Sequence, residues 1–278
     1  MKPVTWLSVG RRHAVAVASC LAILVAGPVA AAEVLRIGGT GNALGGMRLV
    51  AEAFARGNPG VKVQVLPSLG TSGAVRAVPR GAIEIGLASR PLHDDEARQG
   101  ATAFEYARTP FVFAVSKRSR VAAITRDEAA DIFAGRKAAW PDGTPIRPIL
   151  RQPGDDNTRQ LRQMSPAIDA ALTLAEKRPG LPFATTDQEA ADKGESVPGA
   201  LVLTTLGLIL SEGRALKPLV LDGVEPTVAN AASGRYPHVK RFFLVTRATP
   251  SEVTKRFVDF VRSPEGREIL AGSGHWVP

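Results

Sequence analysis

Short apolar stretches alternate with longer segments of helical periodicity along most of the chain. Val34–Ile37 reads as a strand, and residues 61–65 read as another because valines alternate there with polar residues. Between them, the apolar residues from Met47 to Phe54 recur at the spacing that places them on one face of a helix. Strand–helix alternation of this kind predicts an α/β fold.

Three stretches rich in glycine and hydroxyl or polar side chains stand out against this pattern: Gly39–Gly46, Ser68–Gly73 and Arg151–Thr158. Each follows an apolar strand, and the first two lead into helices. The start of a helix carries unpaired backbone N–H groups at the positive end of its dipole, which favours anions. In open α/β sheets the loops at the carboxyl ends of strands form the ligand edge. The three stretches are therefore predicted to converge on one oxyanion.

The later elements follow from the same signals. Thr125 and Glu128 form a capping box for a helix that ends at Gly135, and Thr186 with Glu189 forms another. A helix is predicted after Thr158, with a break near Pro166. Thr249 is predicted to cap the penultimate helix and Pro264 to begin the last one. Further strands are predicted at 83–87, 109–116, 146–150, 200–204, 216–221 and 242–246.

Residues 1–32 have the pattern of a cleavable export signal. A basic start is followed by an apolar core over 14–29 and by the small residues Ala30–Ala32, which leaves Glu33 as the predicted mature start. The core offers about 16 apolar residues, whereas a membrane span needs about 20. We therefore expect a periplasmic protein. Arg11-Arg12 leaves the Sec and twin-arginine export routes both open.

Composition excludes several classes of protein. Cys20 is the only cysteine and lies in the predicted signal, so the mature chain has no disulfide and no cysteine-based metal site. The 35 basic residues exceed the 26 acidic ones, and three basic residues precede position 33, which leaves an excess of six in the mature chain. This excess attracts anions, but the sequence lacks the basic–aromatic interleaving of nucleic-acid binders.

Several motifs, in order along nearly the whole mature chain, resemble the periplasmic phosphate-binding proteins of ABC importers, which have the type II substrate-binding fold. The most specific is Ile124-Thr-x-x-Glu-x-x-x-Ile-Phe-x-Gly135, followed by Trp140-Pro-Asp-Gly143 and Ile146-Arg-Pro. Other stretches of likeness are Asn58–Lys62, Ser68–Gly73, Ile85–Arg90, Val197–Ala200 and Glu265-Gly266.

The resemblance implies a two-lobed α/β clamshell with two crossover hinge strands and a ligand held between the lobes. Lobe 1 would comprise 33–112 and 244–278, and lobe 2 would comprise 113–243. The residues carried over by the resemblance as ligand-binding are Thr40, Gly41, Asn42, Thr71, Ser72, Gly73, Ser89, Arg151, Gly154, Asp156 and Thr158.

The third loop departs from the family pattern. Where relatives have Ser-Gly-Thr, this chain reads Asp155-Asp156-Asn157-Thr158, which is one residue longer. A carboxylate that faces the ligand accepts a hydrogen bond from hydrogen phosphate but repels sulfate, which has no proton to donate. Alternatively, one of the two aspartates caps the following helix. Tungstate-binding relatives share part of this pattern, so tungstate, molybdate and sulfate remain alternative ligands.

Other interpretations of single residues are open at this point. Arg151 either binds the anion bidentately or pairs with Asp155 or Asp156. Arg90 pairs with nearby acids or contacts the ligand. The acids of His93–Glu96 are interpreted as the first turn of a helix rather than as metal ligands. Tyr236-x-x-x-Lys240 matches a short-chain dehydrogenase motif, but Pro237 inside it opposes the helix which that motif requires.

The sequence therefore predicts a monomeric solute-binding protein that has no cofactor, no bound metal and no catalytic residues. It would capture a small inorganic anion, most simply phosphate, for the membrane permease of an ABC importer. An anion sensor built on the same fold is the alternative that the sequence does not exclude.

Overall fold

The computed structural model describes residues 33–278, so the predicted export signal and Cys20 lie outside the described part. The ten strands of this part form a mixed sheet of eight and a separate pair. They are β1 (Glu33–Gly39), β2 (Val61–Val65), β3 (Ile85–Ala88), β4 (Ala101–Ser116), β5 (Ala123–Ile124), β6 (Arg147–Pro148), β7 (Ala200–Thr205), β8 (Leu216–Pro218), β9 (Val220–Leu221) and β10 (Val239–Arg247).

The helices of the described residues lie between and after these strands. They are α1 (Gly41–Gly57), α2 (Gly70–Ala77), α3 (Asp94–Arg98), α4 (Arg126–Ala134), α5 (Asp156–Arg162), α6 (Pro166–Ala175), α7 (Asp187–Ser196), α8 (Leu206–Ser211), α9 (Val228–Ala232), α10 (Glu252–Arg262) and α11 (Pro264–Gly272). Within residues 33–278, each helix is too short or too polar to span a lipid bilayer.

The order of strands in the main sheet is β2-β1-β3-β10-β4-β7-β6, with β8 also paired to β4, while β5 and β9 pair separately. Strands β1, β2 and β3 are parallel, so their carboxyl ends lie at one edge. The long strand β4 pairs antiparallel with β10 through its first half and with β7 and β8 through its second half. Strands β4 and β10 therefore connect two regions of the sheet.

Buried apolar residues form separate groups on either side of these two strands. One large group draws on residues 35–107 and 242–270, and includes Phe54 and Phe257, whose rings meet edge to face at 5.1 Å. The other large group draws on residues 111–236. Strand β4 contributes residues to both groups, and two smaller groups lie around α7 with β7 and around α2 with β3.

Local signals place several elements where they were predicted. The Thr125 hydroxyl accepts the Glu128 N–H at 3.0 Å, and the Glu128 carboxylate accepts the Thr125 N–H at 3.1 Å. Helix α4 then ends at Gly135, whose φ of 81° favours glycine. The predicted break near Pro166 separates α5 from α6, and Pro264 begins α11.

Other predicted boundaries are wrong. Helix α1 begins at Gly41, so most of the predicted glycine-rich turn is helix. The glycines of α1 allow close packing of the helix against other side chains and are not needed for a turn. A Cβ at Gly41 would lie 2.5 Å from Gln188 Oε1, and one at Gly45 would lie 2.2 Å from Ser211 Oγ. Strand β4 begins at Ala101, eight residues before the predicted start at 109, because its first half pairs with β10.

Three further differences have local causes. Ser251, not Thr249, caps α10 through its hydroxyl. The predicted strand over 146–150 is regular only at Arg147–Pro148, where it pairs with β7, because Leu150 pairs with Phe183 instead. The predicted strand over 216–221 is divided into β8 and β9, which pair with different partners.

Candidate functional site

A polar cleft of about 360 Å³ lies where the predicted anion loops meet. Seven of the eleven predicted ligand residues line it: Thr40, Thr71, Ser72, Gly73, Arg151, Gly154 and Asp156. Gly41, Asn42 and Thr158 do not line this cleft, and Ser89 lines an adjoining pocket that shares Asp156 and Arg159 with it. The tertiary structure thus brings together residues that are more than 100 positions apart in sequence.

The N-terminus of α2 faces the cleft. Gly70, with φ of 66°, makes the turn into this eight-residue helix, and Leu69 at the N-cap position offers no side-chain acceptor to the first N–H groups. Thr71, Ser72 and Gly73 form the first turn beside the cleft. Unpaired N–H groups and hydroxyls at a helix N-terminus attract an anion.

Arg151 lies on the opposite wall and is only 9% exposed. Its Nη2 donates to Asp155 Oδ2 at 2.7 Å and lies 3.5 Å from Asp187 Oδ1. Its Nε and Nη1 are buried and have no hydrogen-bond partner among residues 33–278. The guanidinium therefore takes part in an ion pair and still keeps two donor positions for another acceptor.

The two neighbouring aspartates have different roles. Asp155 is the N-cap of α5, since its Oδ1 accepts the Asn157 N–H at 2.9 Å, and its other oxygen pairs with Arg151. Asp156 points across the cleft, where its Oδ2 accepts a hydrogen bond of 2.5 Å from the Ser89 hydroxyl. The helix thus begins at Asp156, three residues earlier than predicted, because Asp155 supplies the cap.

The N-terminus of α1 faces a side chain of this chain rather than the cleft. The Asn42 N–H donates to Asp187 Oδ2 at 3.0 Å, and Gln188 Nε2 donates to the Gly41 carbonyl at 2.9 Å. Gly41 and Asn42 were predicted to hold the anion, but here the carboxylate of Asp187 already occupies that helix terminus. Residues of α7 therefore contact a helix of the other core across the cleft.

A buried polar network lies beneath the cleft. Lys240, 2% exposed on β10, donates through Nζ to Asn157 Oδ1, which also accepts from Asn42 Nδ2 at 3.1 Å. Asn157 Nδ2 donates to Asp187 Oδ1 at 2.8 Å. Burial lowers the pKa of Lys240 and raises that of Asp187, although each partly offsets the effect on the other. Attraction between the two charges keeps the network together despite this desolvation.

Sequence reasoning missed Asp187, Asn157 and Lys240 as parts of the site. Asp187 was read only as a residue in the first turn of a capped helix, and Lys240 only as part of a dehydrogenase motif. Their pairing partners lie 30 to 145 positions away. No local pattern in the sequence indicates contacts at such separation.

Thr158 lies inside the core rather than in the cleft. Its side chain is 4% exposed and lines a small cavity with Phe133, Leu161 and Leu203. Because α5 begins earlier than predicted, Thr158 is the third residue of the helix. At this position its side chain lies on the face that packs on the core. It is therefore not positioned to contact a ligand in the cleft.

Arg90 pairs with an acid, which was one of its two interpretations. Its Nη1 and Nη2 donate to the two oxygens of Glu96, each at 2.7 Å, and this bidentate pair lowers the pKa of Glu96 to about 2. The acids Asp94, Asp95 and Glu96 form the first turn of α3. Within residues 33–278 no cluster of acidic, histidine or cysteine side chains is arranged to hold a metal.

We expect Glu96→Gln to destabilise the protein at neutral pH but not in acid. The carboxylate contributes stability above its unfolded pKa near 4.5, and this contribution is lost as the pH falls toward 2. After allowance for partial exposure, the free energy of unfolding should fall by about 1 kcal/mol at pH 7. Urea unfolding at pH 7 and at about pH 2 measures this difference.

Asp259→Asn is the matched control, since Asp259 is exposed on α10 and makes no ion pair with any described residue. An equal loss of stability from Glu96→Gln at both pH values would contradict the ion-pair explanation.

The dehydrogenase motif does not assemble in this structure. Tyr236 lies in the irregular segment before β10, and its hydroxyl donates to the Phe111 carbonyl at 2.8 Å. Lys240 lies on β10 and contacts Asn157. The two side chains therefore share no helix and no common site.

Comparisons with known proteins agree with this architecture. A model of the PBP superfamily domain matches residues 26–265. The phosphate-binding protein PstS of Bacillus subtilis is 24% identical over 235 residues, which are 82% of this chain and 75% of that protein.

Two solved structures show the same fold. One is a Clostridium perfringens protein assigned as a phosphate ABC transporter substrate-binding protein and solved with bound phosphate: it is 22% identical, with a TM-score of 0.75, over 88% of this chain and all of that one. The other is the periplasmic molybdate-binding protein of Azotobacter vinelandii: it is 16% identical, with a TM-score of 0.61, over 88% of this chain and 99% of that one. The predicted type II binding-protein fold is confirmed.

Proposed function

Because the chain belongs to the PBP superfamily, we propose that it is a solute-binding protein that captures phosphate in the polar cleft for an ABC importer. The observation that carries this proposal is the pair of buried donors on Arg151, Nε and Nη1, which have no partner among the described residues. A buried guanidinium with free N–H groups is well suited to a tetrahedral oxyanion, whose several oxygens accept charge-assisted hydrogen bonds.

The ligand would lie between Arg151 and the N-terminus of α2. The first-turn N–H groups of α2 and the hydroxyls of Thr71 and Ser72 would donate from one side, and Arg151 from the other. Thr40 lies on the same cleft surface. These groups replace water around the anion without any chemical step, so the proposal includes no catalysis and no cofactor.

The charged side chains around the cleft have a small net positive charge, which attracts an anion only moderately. Arg76, Arg151, Arg159 and Lys240 lie in or under the cleft, as do the three carboxylates Asp155, Asp156 and Asp187. Four cations against three carboxylates leave an excess of one positive charge. Arg76 is exposed and makes no ion pair with residues 33–278, so it contributes most directly to attraction at the mouth of the cleft.

Two lobes that close on the ligand would explain the separate cores. We assign residues 33–112 and 244–278 to lobe 1 and residues 113–243 to lobe 2, with β4 and β10 as the hinge strands. The separation of buried residues into 35–107 with 242–270 and 111–236 supports this assignment. Closure between such lobes is a recognised way to enclose a small ligand.

The cellular setting is part of the same proposal. The export pattern of residues 1–32 supports a periplasmic location, and the name of the Bacillus subtilis relative supports phosphate as the ligand. A monomer that presents its closed form to a membrane permease is the arrangement that this function requires.

A thermal-shift series on the purified protein tests the ligand. We expect phosphate and arsenate to raise Tm, because a ligand at 100 times its Kd stabilises the native state by about 2.7 kcal/mol. Sulfate, molybdate and tungstate are included at equal concentration and ionic strength, with chloride as the control. A shift with molybdate or tungstate alone would reassign the ligand, and no shift with any oxyanion would refute the function.

A further inference from the structure

The carboxylate of Asp156 lies where the hydroxyls predicted to bind the anion converge. Ser89 Oγ donates to Asp156 Oδ2 at 2.5 Å. The same Ser89 oxygen lies 3.0 Å from Thr71 Oγ1, which in turn accepts the Ser89 N–H at 3.0 Å. Thr71 and Ser89 come from the core around α2 and β3, whereas Asp156 begins α5 in the other core. The carboxylate therefore bridges the two sides of the cleft.

Charged groups around Asp156 complete an environment that suits an anion. Arg159 donates to its Oδ1 from one turn along α5, and Lys240 lies close enough to attract it electrostatically. Burial alone would raise the pKa of Asp156, but the hydrogen bonds from Ser89 and Thr71 and these two cations hold the pKa below its usual value. Asp156 is thus a carboxylate at neutral pH.

We propose that Asp156 is a built-in anion: it occupies Ser89 and Thr71 when no ligand is bound, and an incoming oxyanion must displace it. The inference rests on the proposed function for the identity of the oxyanion. The contacts of Asp156 with Ser89 and Arg159 do not depend on that identity. It follows that Asp156 weakens the binding of every anion by occupying two hydroxyls and by charge repulsion. It also ties the two sides of the cleft together before the ligand arrives.

A different role for the same residue makes the opposite prediction. If Asp156 accepted a hydrogen bond from the proton of bound hydrogen phosphate, its removal would weaken phosphate binding and narrow the preference over sulfate. The hydrogen bond from Ser89 uses the oxygen that faces the other wall, and Arg159 uses the other oxygen. Both carboxylate oxygens are therefore already engaged, which favours the role as a competitor.

Titration calorimetry of phosphate distinguishes the two roles. We expect Asp156→Ala and Asp156→Asn each to bind phosphate at least tenfold more tightly than the wild-type protein. Asp127→Asn, an exposed aspartate in the first turn of α4, is the control for the change in net charge and should match wild type. Weaker or unchanged binding by both Asp156 variants would overturn the inference.

Hydrogen exchange without ligand gives a second readout that does not depend on anion binding. In Asp156→Ala, the segment around Ser89 and the first turn of α2 should exchange faster than in wild type, because the bridge across the cleft is lost. Unchanged exchange in both segments would overturn the inference. If no protein in the series binds phosphate or another oxyanion, the proposed function fails, and the exchange result alone decides the role of Asp156.

Discussion

Replacing Arg151 with alanine should lower phosphate affinity by about 10- to 100-fold. A hydrogen bond to a charged group contributes about 1.5–3 kcal/mol, and Arg151 has two buried donors that no described residue uses. The loss should appear mainly as faster dissociation, because steering by the exposed Arg76 is retained. Titration calorimetry at constant ionic strength measures the change directly.

Two further variants separate binding from folding. Arg151→Lys keeps the charge but loses the planar fork, so we expect an affinity between those of wild type and Arg151→Ala. Arg235→Ala removes an exposed arginine that lies outside the cleft and should leave phosphate binding unchanged. Because Arg151 also pairs with Asp155, each variant is first compared with wild type by circular dichroism. Wild-type affinity in a folded Arg151→Ala protein would place the ligand elsewhere.

Replacing Lys240 with methionine should lower the free energy of unfolding by about 1–3 kcal/mol, because Asn157 Oδ1 loses a buried charged donor and Asp187 loses one of the two cations that attract it. Lys240 is 2% exposed, donates to Asn157 and lies over the ring of Phe111 at 4.8 Å from its centroid. Methionine preserves most of the volume but leaves Arg151 as the cation that attracts the buried carboxylate of Asp187. Denaturant unfolding at pH 7 measures the loss.

A double variant tests whether the loss comes from an unpaired charge. In Lys240→Met with Asp187→Asn, both charges are gone, so the combined loss should be smaller than the sum of the two single losses. Lys177→Met, on an exposed lysine after α6, should change stability by less than about 0.5 kcal/mol. Strict additivity of the Lys240 and Asp187 effects would contradict an electrostatic network and would indicate a packing role instead.

Local signals in the sequence predicted most of the framework. The capping box of Thr125 and Glu128, the stop at Gly135 and the prolines that begin α6 and α11 act over a few residues, so their effect on the backbone does not depend on the rest of the fold. Strand–helix alternation predicted the α/β class for the same reason. The motif likeness then predicted the type II fold, which the comparisons confirm.

The sequence also named Arg151, Thr71 and Ser72 as neighbours of one cleft, because strand ends and helix starts meet at one edge of an open sheet. What it did not determine was the direction of each polar group. Asp187 takes the N-terminus of α1, and Asp155 takes that of α5, so two of the three helix termini that pattern alone offers to an anion are already capped. Of these three termini, that of α2 has no side-chain cap among residues 33–278.

The sequence by itself determined the α/β class, the helix caps and stops, and the loops that carry donors, since these depend on neighbours within one or two turns. Only the tertiary structure decided which of these donors remain available to a ligand. Carboxylates up to 145 positions away bind some of them, because a buried charge requires a partner. Asp156 shows the difference: its position after a cap is local, whereas its contact with Ser89 exists only once the two sides of the cleft meet.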